Sequence, residues 1–203
     1  MRFRSASSGI IGKAQRSSRS LRQPCISLRL PDVNPEERSI TVCFTGHRVI
    51  AADTLPALTD RLDGVLLALY RRGYRIFISG AALGFDTLAA ERVIALRQIH
   101  PDVQLVLAIP CSSQSRRWST DQCDRFEHMV YSADKTHVLA PTYYNGCMQV
   151  RNRFMVDRSS FCLCYLAHMK GGTLSTVAYA LKQDLPVLNV AMPDACAAFV
   201  QEM

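Results

Sequence analysis

The residues best suited to chemistry fall in three short stretches: Thr45-Gly46-His47-Arg48, Ser79-Gly80-Ala81-Ala82-Leu83-Gly84, and Gly171-Gly172-Thr173 with Ser175 close behind. Each follows an apolar run and precedes a helical pattern. Glycine lets an anion approach the backbone, a helix N-terminus favours negative charge, and Thr173 and Ser175 add hydroxyl donors. The chemistry this suggests is recognition of phosphate or ribose. None of the stretches is a G-x-G-x-x-G or a G-x-x-x-x-G-K-[ST], so the standard dinucleotide fingerprint and the ATPase loop are both absent. Glycines also simply make short turns, and a single loop would say little. Three loops on one sheet edge point to a ligand site.

Other residues carry two readings each. Arg48 and Arg151 either clamp a phosphate or form surface ion pairs. Asp86 is placed to cap a helix, with a catalytic carboxylate as the alternative, and Asp157 either pairs with a nearby arginine or serves as an acid. Glu91 reads as a solvated helix residue. His47 fits a loop residue that hydrogen-bonds backbone or ligand better than it fits a general base. Trp118 either stacks on a bound base or packs on its own helix. Cys43 and Cys111 have no activating partner, and the scattered histidines give no metal-ligand spacing.

The elements that must hold these loops are legible as a β-α alternation. Strands are expected over 39–44, 75–79, 103–109, 136–139, 161–166 and 186–190. Between the first two, Leu55, Leu58, Leu62, Val65 and Leu69 recur at helical spacing, and Arg71, Arg72 and Gly73 close that helix. Helices are also expected over 87–99, through about Ser132, over 148–158, and after Gly172 with Leu174, Val177, Ala178 and Leu181 on one face. A short terminal helix should follow Met192. Buried apolar strands separated by helices predict a doubly wound, mostly parallel, Rossmann-like α/β sheet flanked by helices in a single domain. The three loops would then project from the same edge.

Of the 203 residues, 1–38 read as a disordered Ser- and Arg-rich arm and 39–203 as the folded domain. A transit peptide and a start codon further downstream are alternative readings of the arm. The net charge is +7, but seven basic residues and no acidic one precede Pro31, which leaves 17 Lys and Arg against 17 Asp and Glu in the remainder. On that balance the folded part makes no electrostatic case for nucleic acid. Eight cysteines in and around apolar runs fit a reduced cytoplasmic core better than a disulfide framework. No apolar run is long enough to span a membrane.

Taken together, Thr45-Gly-His-Arg48, Ser79-Gly-Ala-Ala-Leu-Gly-Phe-Asp86, Arg151-Asn-Arg-Phe-Met-Val-Asp157 and Gly171-Gly-Thr173 with Tyr179-Ala180 resemble the YpsA-like branch of the SLOG superfamily. That superfamily includes the cytokinin-activating phosphoribohydrolases and the DNA-processing protein DprA. The resemblance implies a Rossmann-like fold whose glycine loops bind nucleotides or nucleotide-derived ligands such as ADP-ribose or NAD. The ligand-binding set it marks is Thr45, Gly46, His47, Arg48, Ser79, Gly80, Ala81, Gly84, Trp118, Arg151, Gly171, Gly172, Thr173 and Ser175. The phosphoribohydrolase glutamate aligns with Thr176, which weakens the case for N-glycosidic hydrolysis and leaves Asp86 and Asp157 as substitutes. A sensor or regulatory role for a nucleotide-derived small molecule leads, with the hydrolase and single-stranded DNA binding behind it. No cofactor is implied, and the sequence leaves room for a homo-oligomer.

Overall fold

The computed structural model describes residues 33–202 and the backbone of a two-residue strand, β1 (Ile26–Ser27). The remainder of the arm lies outside the described residues. A short helix, α1 (Pro35–Ser39), stands at the end of the stretch read as arm, with Asn34 accepting a hydrogen bond from the Glu36 N–H. Then follow β2 (Thr41–Gly46), α2 (Leu55–Arg71), β3 (Ile76–Ser79), α3 (Phe85–Ile99), β4 (Gln104–Ile109), α4 (Thr120–Ser132), β5 (Lys135–Val138), α5 (Cys147–Asp157), β6 (Phe161–Tyr165), α6 (Gly171–Lys182), β7 (Val187–Asn189) and α7 (Pro193–Gln201).

The seven strands form one sheet in the order β1-β5-β4-β3-β2-β6-β7, and every neighbouring pair is parallel. This is the expected doubly wound α/β architecture. Alternate residues of each strand feed opposite faces. Val42, Phe44, Phe77, Leu105, Leu107 and Leu163 join α2 and α3 in one core, while Cys43, Ile78, Val106, Ala108 and Cys162 join α5 and α6 in the other. Leu58, Leu62 and Leu69 of α2 are fully buried, each worth about 1.5–3 kcal/mol of transfer free energy. Among the described residues no helix is long and apolar enough to cross a membrane.

Two helical faces differ from the sequence reading. Leu55 is exposed because it sits in the first turn of α2, ahead of the sheet. On α6 the buried stripe is Thr173, Thr176, Val177 and Ala180, whereas Ala178 and Leu181 face outward. Hydrophobicity alone picks Leu181, but Thr176 turns inward, where its hydroxyl meets Asn152 and the Gly172 carbonyl. Asp86 does not cap α3. The N-cap is Gly84, at φ +82°, and Asp86 lies inside the first turn.

Candidate functional site

Sequence-adjacent strands lie side by side from β2 to β5, but the order reverses at β2, whose other neighbour is β6. Ligands in open α/β sheets bind outside the carboxyl ends of the strands at such a switch point. The loops after β2, β3 and β6 all emerge there.

His47 ties the three loops together. Its N–H donates to the Tyr165 carbonyl (3.3 Å), its carbonyl accepts from the Phe85 N–H (3.1 Å), and its Nε2 accepts from the His168 N–H (3.1 Å). Burial, then the neighbouring His168 and Lys170, lower its pKa, in keeping with a neutral ring that accepts at Nε2. Gly84 is required for the same junction, since a side chain there would overlap the His47 and Arg48 carbonyls and the backbone already has positive φ. Gly46 is packed just as closely against Phe85.

The loop after β3 is occupied by the protein itself. Ser79 Oγ accepts from the Ala81 N–H (3.1 Å) and donates to the Asp86 carbonyl (2.9 Å), and Gln114 donates to the Ala81 carbonyl (2.8 Å). The Gly80 carbonyl accepts from Arg151 Nη1, and the guanidinium fills the space a Gly80 side chain would need. Gly80 therefore seats Arg151, Ser79 and Ala81 brace the loop, and none of Ser79, Gly80, Ala81 and Gly84 lines the cleft.

That cleft, about 280 Å³, is bordered by Thr45, Gly46, His47, Arg48, Asp86 and Arg151 on one side and by Lys170, Gly171, Gly172 and Thr173 on the other. Arg151 reaches in from α5 with its side chain 6% exposed, its Nη1 3.6 Å from Asp86 Oδ2. Asp86 is equally buried and also accepts from the Ala82 and Gly46 N–H groups. Burial pushes its carboxyl up to about 6 against the opposing pull of Arg151. Arg151 Nε donates to Asn152 Oδ1 (2.7 Å), Asn152 Nδ2 donates to Thr176 Oγ1 (2.7 Å), and Thr176 donates to the Gly172 carbonyl (2.9 Å). The chain of bonds links the arginine to the first turn of α6. No side chain caps that turn, and Gly171 and Gly172 face open space.

Two of the sequence candidates stand apart. Trp118, just ahead of α4, packs edge-on against Phe126 of that helix, at 5.4 Å between ring centroids. Asp157 accepts from the Tyr179 hydroxyl (2.8 Å), and its carbonyl accepts from Arg38, so neither residue borders the cleft. Ser175 faces the groove beside it and donates to the Gly171 carbonyl (3.3 Å). Lys170, Asn152 and Thr176 were not marked as ligand-binding by sequence. Lys170 had a signal in its position directly before Gly171-Gly172. Among the described residues no cluster could hold a metal ion. A separate cavity of about 230 Å³ beside α1 lies away from this edge and contains none of the loop residues.

The model of the YspA SLOG family matches residues 50–189. The chain belongs to this family. One relative of this SLOG chain is the uncharacterized SPbeta prophage-derived protein YoqJ of Bacillus subtilis, 32% identical over 146 residues that span 65% of this chain and 85% of that protein. Solved structures of similar fold include DNA processing protein A (DprA) from Streptococcus pneumoniae, with TM-score 0.52 and 16% identity over 80% of this chain and 56% of that one. They also include DprA from Helicobacter pylori, with TM-score 0.51 and 20% identity over 73% of this chain and 63% of that one. The SLOG chain thus spans less than two thirds of either DprA chain, and at these identities the likeness is one of fold. The Helicobacter pylori protein is described with a single-stranded DNA binding mode. This corrects the expectation, drawn from net charge, that nucleic acid is an unlikely partner: a protein of similar fold has a single-stranded DNA binding mode, and a summed charge is silent about cations gathered at one cleft.

Proposed function

We propose that the cleft binds the phosphate of a nucleotide, free or within a strand. The observation that carries this reading is the convergence of a buried Arg151, the uncapped N-terminus of α6, and the exposed Arg48 and Lys170 on one small cavity. Three cationic side chains and a helix N-terminus face a single carboxylate, Asp86, so an oxyanion is the complementary ligand. ADP-ribose is one small molecule with this chemistry. The DNA-binding neighbour of the same fold supports a strand-borne nucleotide equally.

The reading is one of binding, not turnover. Thr176 has no carboxylate and its hydroxyl is engaged with Asn152 and Gly172, Asp157 is held by Tyr179, and Asp86, the carboxylate that does border the cleft, is paired with Arg151. Among the described residues seven cysteines are free and six of them buried, which supports a reduced, cytoplasmic setting. The test is a thermal-shift titration of the chain against inorganic phosphate, AMP, ADP-ribose and a short oligodeoxynucleotide. Ligand at a hundredfold its Kd should stabilise by about 2.7 kcal/mol. Lys170→Glu combined with Arg48→Glu should abolish the shift without unfolding the protein, since both side chains are exposed. No shift with any of the four ligands would overturn the reading.

A further inference from the structure

The cleft does not end at Gly172. It opens into a groove of about 650 Å³ between α5 and α6, and the two share Met148, Asn152, Gly171 and Gly172 on their walls. The twelve residues of α6 carry the groove about 16 Å from the phosphate cleft to Lys182. A stacked strand advances about 3.4 Å per nucleotide, so the groove is the length of roughly five nucleotides and longer than a single one.

Its chemistry is one-sided. Arg153 and Lys182 are exposed along it, Gln149, Asn152 and Ser175 add polar groups, and no carboxylate lines it. Tyr179 lies midway. Its hydroxyl is fixed by Asp157 at 2.8 Å and the Arg153 guanidinium lies 5.4 Å from its ring centroid, so a planar aromatic and a planar cation stand together on an open wall. A pocket for a small nucleotide derivative encloses its ligand with apolar walls. A cationic groove with an aromatic platform, open along its length, is the arrangement that tracks a single strand without regard to sequence.

We propose that the α5–α6 groove is the track of a single-stranded nucleic acid, one phosphate of which seats in the cleft while the following nucleotides run past Tyr179 between Arg153 and Lys182. This rests on the cleft being a phosphate site and adds the class of ligand and the direction in which it leaves. Recognition is by charge and stacking. Base sequence matters little.

Calorimetry and fluorescence anisotropy on the full chain, with thymidine monophosphate, ADP-ribose and labelled oligothymidylates of increasing length, test it. Affinity should rise with length and level off at roughly five nucleotides. Arg153→Glu combined with Lys182→Glu should weaken an eight-nucleotide strand at least tenfold and lower its salt slope by roughly 1.4, while leaving the monophosphate unaffected. Equal affinity for the monophosphate and every oligomer would overturn the proposal and leave the cleft reading intact. So would strand binding indifferent to the double variant, which would assign that binding to the basic N-terminal stretch. No binding of any ligand would remove the cleft reading and this proposal with it.

Discussion

The guanidinium of Arg151 occupies the space that a side chain at Gly80 would need. The two residues are 71 positions apart, one in the loop after β3 and the other on α5, yet the Gly80 carbonyl accepts from Arg151 Nη1. The glycine is there for the protein's own arginine, and the arginine is delivered to the cleft by the glycine.

Gly80→Ala should therefore do two things at once. A methyl group at this site displaces a buried guanidinium, an overpacking expected to lower stability by about 1–3 kcal/mol in urea denaturation, and it should also abolish phosphate binding. Gly172→Ala provides the contrast. A side chain there meets nothing within 4 Å, so stability should stay within about 0.5 kcal/mol of the parent while nucleotide affinity falls. Equal effects of the two substitutions on stability would contradict the assignment.

Asp86 should leave a signature in the pH dependence of stability. Its carboxyl is raised from 3.8 to about 6 by burial, so the folded protein favours the protonated form. The stabilisation is full below the unfolded value and is lost as pH rises through about 6, an effect of about 3 kcal/mol for this group. Asp86→Asn mimics the protonated acid. The stability of the variant relative to the parent should rise by about that amount between pH 4 and pH 8 in parallel urea titrations. A constant difference would show that the carboxyl titrates normally. Ionisation of Asp86 also offsets the charge of Arg151, so phosphate affinity should fall over the same range.

The sheet was legible because parallel strands buried on both faces read as apolar runs, as β2, β3, β4 and β6 do, while β5, with Lys135 and His137 in its four residues, is marked mainly by its place in the alternation. A two-residue strand such as β1 has no pattern to read. The loops were legible as glycine-rich strand ends, but the roles of their glycines were not. The space a glycine leaves open can be filled by a ligand or by the protein, and in sequence Gly80 and Gly172 look alike. Packing separates them: Gly80 faces Arg151, and Gly172 faces the cleft. The inward face of Thr176 was hidden for a related reason, since hydrophobic periodicity assigns threonine outward unless its hydrogen-bond partner is known.

The sulfur chemistry of the core is predicted to be silent. Contact with Cys43 and burial raise the Cys162 thiol, and burial pushes Cys164 up to about 12. Thiolate is the reacting species, so Cys162 and Cys164 should resist alkylation in the native protein and react only after unfolding, whereas the half-buried Cys123 reacts earlier. Mass spectrometry of peptides from a timed alkylation reads the order directly. Early labelling of Cys162 or Cys164 would mean that the sheet opens locally.

Thr176 decides whether the arginine is held or merely present. Its hydroxyl accepts from Asn152 and donates to the Gly172 carbonyl, which fixes the amide so that its oxygen faces Arg151 Nε. Thr176→Val keeps the shape and removes both bonds, leaving a half-buried amide without its acceptor, at an expected cost of about 1–3 kcal/mol. Thr176→Ser should restore most of the stability. The positioning role predicts more than that. If the hydroxyl orients Arg151 through Asn152, Thr176→Val should weaken nucleotide binding even under conditions where the protein is fully folded, and Thr176→Ser should recover it. If affinity stays unchanged in a folded Thr176→Val protein, the threonine serves the helix alone and Arg151 is oriented by Gly80 and Asp86.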